Sequence, residues 1–175
     1  MNDITFGRFL GRVTATHVTT YFVAGLLAYT LLDYRTFFQS DVLACLMRPT
    51  SSRWVAAGPA LQIFRAPIFA LALYPFRRVF LRDRHGWLQL WGLLVGLAVV
   101  STVGPAPGSI EGMIYTRISV PRQLYELPED FLQTLAFSVL LTAWCRRPTW
   151  AWGIVLGSLA GLAVILSLAG VLVRP

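Results

Sequence analysis

Five long apolar runs, separated by stretches that hold most of the arginines, organise this chain. The first covers about Val13–Leu32 and is the most mixed. Thr14, Thr16, His17, Thr19 and Thr20 interrupt it, which leaves Val18–Leu32 as its strongly apolar part. The second, about Val55–Phe76, carries Arg65 near its centre. The third, about Trp87–Val103, stops at Gly104-Pro105-Ala106-Pro107-Gly108, where two prolines withhold the N–H donors that a continuing helix needs. The fourth, about Pro128–Cys145, opens with Pro128 at a position suited to a first helical turn. Glu129 and Asp130 follow it at the positive end of the helix dipole. The fifth, about Thr149–Val173, contains no charged residue.

Runs of this length suit helices that cross a hydrocarbon layer about 30 Å thick. The pattern predicts an all-α, polytopic helical membrane protein with about five transmembrane helices, forming a single integral membrane domain over residues 1–175. A secretory signal peptide is the competing reading of the first run. Arg8 and Arg12 precede it, but no small-x-small cleavage site follows and Asp33-Tyr34-Arg35 ends it, so a retained span is expected. In the connection between the third and fourth runs, Ile110, Met113, Ile114 and Ile118 recur at helical spacing. A short helix is expected there, lying at the membrane interface or dipping into the bundle. This connection, Gly104–Leu127, and the earlier one, Asp33–Trp54, both exceed the usual loop of about 4–6 residues.

Composition sharpens the picture. Of 175 residues, 56% are hydrophobic and 13% charged, against about 25% charged in a soluble domain. All fifteen basic residues are arginines. The lack of lysine excludes Schiff-base chemistry and a P-loop, both of which need its amine. The net charge of +7 would suggest nucleic acid in a soluble protein. Here the arginines cluster at span ends, and no nucleic-acid partner is expected. Cys45, Cys145, His17 and His85 are isolated singletons without metal-ligand spacing, so neither a metal nor another cofactor is expected.

The arginines also orient the chain. Arg77-Arg78-Val79-Phe80-Leu81-Arg82-Asp83-Arg84 holds four arginines, Arg146-Arg147 fill the next short turn of the same parity, and Arg8 and Arg12 precede the first run. With five spans these eight lie on one side, against six on the other. The Lys/Arg bias makes the richer side cytoplasmic, with the N-terminus inside and the C-terminus outside. Trp54, Trp87, Trp91, Trp144, Trp150 and Trp152 fall near span ends, as an interfacial belt does.

Arg65 is the leading functional candidate. A charged group at membrane depth costs at least about 2.5–3.5 kcal/mol on insertion scales, so something must offset it. At about 1.5 Å per residue, its Cα lies about 15 Å from Val55 along the second run. Helical side chains lean toward their own N-terminus, which points the guanidinium outward. Gly58, Gln62, Arg65 and Phe69 share one stripe of that helix. Arg65 then either pairs with an acid on a neighbouring helix or holds a ligand. The acids on its side are Glu111, Glu126, Glu129 and Asp130. Asp130, Thr134, Ser138 and Thr142 recur every four residues, a polar stripe expected to hydrogen-bond to another helix. Glu111, in an apolar segment between Ser109 and Gly112 with Tyr115 one turn on, is a candidate acid or base, or an interfacial carboxylate paired with Arg117 or Arg122. His17 is expected about a turn inside the cytoplasmic end, as a hydrogen-bonded structural residue.

Three functions compete. In the first, an outward-facing polar pocket built from Arg65, Gln62, Tyr115 and Glu129 binds an anionic lipid or amphipathic small molecule. In the second, Glu111 or Asp130 moves a proton in a membrane-embedded acid/base enzyme (an isomerase, cyclase or transferase acting on a lipid-soluble substrate) while Arg65 stabilises developing negative charge. In the third, the small faces Gly153, Gly157, Gly161 and Gly92, Gly96 pair with a second copy or another membrane protein. Five spans provide no pair of equal inverted halves for a transporter.

Overall fold

A computed structural model describes residues 4–38, 43, 46–125 and 127–173 of the chain. Among them the only regular structure is helical. Each of the five apolar runs forms a long helical element. These are α1 (Phe6–Leu31), α3 (Arg53–Leu73), α5 (Gly86–Leu94, continued by a wider π-helical stretch over Val95–Val100), α8 (Leu127–Arg146) and α9 (Trp150–Val173). Short helices fill the connections: α2 (Tyr34–Phe38), α4 (Arg77–Arg82), α6 (Ile110–Tyr115) and α7 (Val120–Gln123).

The most mixed run turns out to be the central helix. α1 packs against α3, α8 and α9, while α3 also meets α9 and α5 packs on α8. α1 begins at Phe6, well before the expected Val13, and its threonines are part of the packing rather than a fringe. Thr16, Thr19 and Thr20 are buried, with Thr19 Oγ1 donating to the Leu156 carbonyl of α9 at 3.1 Å and Thr20 Oγ1 to the Thr16 carbonyl at 2.9 Å. His17 consequently lies in the middle of α1, not a turn from its end.

Among the described residues, only α3 and α9 are both long and apolar enough to cross a membrane. α1 and α8 have the length but carry internal polar residues, and α5 with its π-helical continuation is a shorter apolar helix over Gly86–Val100. The expected five spans are therefore two on length and composition.

α3 contains Pro59 and Pro67, each of which removes one donor from its backbone ladder. Next to Pro59 the ladder is bridged from outside. Ser167 of α9 donates its hydroxyl to the Ala56 carbonyl at 2.5 Å and accepts the Ala60 N–H at 3.2 Å. The polar stripe of α8 is satisfied differently from the expectation. Thr134, Ser138 and Thr142 each donate to the carbonyl one turn earlier in their own helix, at 2.7, 2.8 and 2.7 Å. That acceptor is always within reach of a helical hydroxyl, so no interhelical bond is needed.

The two ends of the bundle differ. At the end holding the start of α1 and the close of α3, a tight apolar core includes Phe9, Val13, Leu73, Leu90 and Leu141. Arginines secure this end by donating to carbonyls. Arg146 reaches Phe80 at 2.9 Å, Arg84 at 3.1 Å and also Asp83, fastening α4 beneath α8. Arg12 donates to the Trp144 carbonyl at 3.4 Å and lies over its ring. At the opposite end the helices spread around a cavity.

The connection holding α6 and α7 is organised by Gln123, which is buried. Its Nε2 lies 2.7 Å from the Ile118 carbonyl and 3.2 Å from both the Gly112 carbonyl and Thr116 Oγ1, and its Oε1 accepts from the Gly108 N–H at 3.3 Å. Ser109 caps α6 by accepting the Gly112 N–H at 2.9 Å. Gly108 has φ +84°, and a Cβ on Gly112 would stand 2.0 Å from the Ala106 carbonyl oxygen. The short helix is present as expected, but Ile118 lies beyond it and is buried, whereas Ile110, Met113 and Ile114 face outward.

Candidate functional site

His17, Tyr21 and Gly25 succeed one another at four-residue intervals along one face of α1. They open onto a cavity of about 600 Å3 bounded also by α3, α8, α9 and the π-helical part of α5. α3 contributes Arg65 and Phe69, and α8 contributes Glu129, Asp130, Gln133 and Thr134. Ala98 and Val99, on the π-helical stretch, form part of an apolar wall. Such wider turns recur at functional sites, and both residues line the cavity here.

The packing beneath Arg65 explains its position. Its guanidinium lies over the Phe69 ring, 5.3 Å from the centroid. The edge of the His17 ring meets that same Phe69, with centroids 4.8 Å apart, and Phe137 of α8 at 5.9 Å. His17 Nε2 donates to Gln62 Oε1 at 3.1 Å, and Gln62 Nε2 donates to the Gly58 carbonyl at 3.1 Å. Gly58 in turn leaves room for the Tyr21 hydroxyl, which would lie 3.4 Å from a Cβ at that position. The predicted stripe of Gly58, Gln62, Arg65 and Phe69 therefore faces α1 and the cavity.

On the opposite wall, Glu129 is hydrogen-bonded through one oxygen. Oε2 accepts a short hydrogen bond from the Tyr34 hydroxyl of α2, and Oε1 lies against Gly25, where a Cβ would be 3.5 Å away. α2 can reach this point because the chain turns sharply at Asp33, φ 43°, and is tied down by Tyr125, whose hydroxyl donates to the Leu32 carbonyl at 2.5 Å. Asp130, the next residue, feels the charges of Glu129 and Arg65. Among the described residues Arg65 has no ion-pair partner. The cation and the acids share the cavity without closing on one another.

The structure places the other sequence candidates as follows. Gln62 is buried directly behind the cavity, bonded to His17. Glu111 and Tyr115 are on α6 and do not line it; Tyr115 is 71% exposed. Glu126 lies outside the described residues. His17 was expected to be structural, and Tyr21, Tyr34 and Gln133 were not among the site candidates; the spacing of His17, Tyr21 and Gly25 marks one face of a helix, but nothing local sets that face against Arg65. Among the described residues no group of three or more His, Cys, Asp or Glu side chains is arranged to hold a metal. Among the described residues, nothing lies within 4 Å of a Cβ added at Gly157 or Gly161.

No protein-family model, curated protein or solved structure matches the chain.

Proposed function

We propose that this is a multi-pass integral membrane protein whose polar cavity around Arg65 binds an anionic lipid or amphipathic small molecule from the outer side. The observation that carries the reading is a guanidinium lining a 600 Å3 cavity with no ion-pair partner among the described residues. Ligand sites typically enclose about 300–1,000 Å3, with apolar walls and a few convergent polar groups. An intramembrane charge is a functional-site hypothesis by default.

Support for the membrane comes from what the fold leaves uncovered. Phe64 and Ile68 on α3 are 75% and 67% exposed, and Leu172 on α9 is 85% exposed. Soluble monomers rarely leave large contiguous apolar patches in water, whereas lipid covers them without penalty. α1, α5 and α8 then complete five spans, with Thr16, His17, Thr19, Thr20, Ser138 and Thr142 buried in the interior and the exposed Thr30 and Gln89 near helix ends. The arginine-rich end, with α4, faces the cytoplasm, and the cavity opens on the other side. α6 lies at the outer interface with Ile110, Met113, Ile114 and Tyr115 turned into lipid.

The test is a comparison of wild type with Arg65→Gln, both purified in a neutral detergent. A long-chain alkyl phosphate should raise the thermal unfolding midpoint of wild type and leave a folded Arg65→Gln protein unmoved. Equal stabilisation of the two, or none of wild type, overturns the reading. One observation favours a second reading: Asp130 shares the cavity with Arg65, as an acid/base enzyme on a lipid-soluble substrate would require. Because Glu111 lines a different surface, that reading rests on Asp130.

A further inference from the structure

We infer that the cavity is built for a dipolar headgroup, an acidic phosphate joined to an ammonium, rather than for a purely anionic one; the inference rests on the binding reading above. The charges on its walls are unequal. α3 supplies one guanidinium, Arg65, while the start of α8 supplies two adjacent carboxyl groups, Glu129 and Asp130. A phosphate that reaches Arg65 therefore enters a space already lined by acids, and like charges in one cavity oppose binding. A headgroup that also carries an ammonium gains from the same acids.

The acidic wall is formed as a receiving surface. Glu129 accepts from the Tyr34 hydroxyl on one oxygen, and its other oxygen lies beside Gly25 without a hydrogen bond among the described residues. The carboxyl group of Asp130 has no hydrogen-bond partner among the described residues, its carbonyl being the atom that accepts from Thr134. Tyr21, Tyr29 and Tyr34 also line the cavity, Tyr34 in direct contact with Glu129, and aromatic faces beside carboxylates attract ammonium groups. Ala98, Val99 and Leu166 continue the lining as an apolar surface suited to an acyl chain. Phosphate at Arg65 and ammonium at Glu129 and Asp130 use both walls at once.

The experiment compares two single-chain lipids with the same acyl chain, lysophosphatidylethanolamine and lysophosphatidic acid, titrated into the purified full chain by calorimetry in neutral detergent. Wild type should bind the ethanolamine lipid about tenfold more tightly, the difference expected from one hydrogen-bonded charge contact. Glu129→Gln with Asp130→Asn should abolish or reverse that preference while binding persists; if the double variant fails to fold, Asp130→Asn alone should narrow it. Arg65→Gln should weaken both lipids. Equal or tighter binding of lysophosphatidic acid by wild type overturns the dipolar inference and leaves the anion-binding reading standing. An unchanged preference in the folded acid variants also overturns it. Failure of wild type to bind either lipid overturns the binding reading itself.

Discussion

Arg65 stands out in the sequence because charge is rare inside an apolar run, and its surroundings follow from residues that do not stand out. The side chain is held by Phe69 one turn away, and Phe69 is braced by His17 from another helix. Gln62 was visible as a partner on the same helical face, but its bond to His17 joins positions 45 apart in sequence and has no local signature. The same holds for Gln123, an ordinary polar residue of a loop that proves to be the hub of its hydrogen bonds. Gly112 sits beside it, with no room for a Cβ against the Ala106 carbonyl. Gly112→Ala should therefore destabilise the connection holding α6 and α7 by about 1–3 kcal/mol, the usual range for overpacking. Limited proteolysis should show faster cleavage within residues 104–124 than in wild type, and an unchanged rate would contradict the close approach.

At the scale of elements, Gly153, Gly157 and Gly161 of α9 were expected to mark a contact face, whereas the close approach to α3 falls at Gly170, outside that run. Gly170 lies where an added Cβ would be 3.4 Å from Ala56 Cβ, beside the Ser167 bridge that joins α9 to α3, whereas Gly157 meets nothing within 4 Å. Gly170→Leu should force the two helices apart and lower the thermal midpoint in detergent, with a loss of about 1–3 kcal/mol. Gly157→Leu should leave the monomer within about 0.5 kcal/mol of wild type, as a surface change does. The reverse order would mean that α9 is rotated about its axis. The helical periodicity of each run was readable because side-chain spacing is local. The face each helix turns inward was not, since α1 buries threonines and a histidine while α3 and α9 leave large apolar side chains outside.

At the scale of the molecule, the proposed topology places the α4 connection and α6 on opposite sides of the membrane. After replacement of Cys45 and Cys145, single cysteines at Arg84 and at Arg117, both exposed, should react with a membrane-impermeant thiol reagent from opposite faces of sealed vesicles. Labelling from the same face would remove the odd number of crossings between them. The apolar runs, the arginine-rich connections and the proline stop at residues 104–108 determined by themselves that the chain is helical and where its long helices lie, because hydrophobic period, charge and missing N–H donors act within a few residues. Only the tertiary structure decided that the threonine-bearing α1 occupies the centre, that Glu129 and Asp130 share a cavity with Arg65, and that Glu111 does not. Those outcomes depend on the rotation and crossing of distant helices, which are set by mutual packing of whole faces.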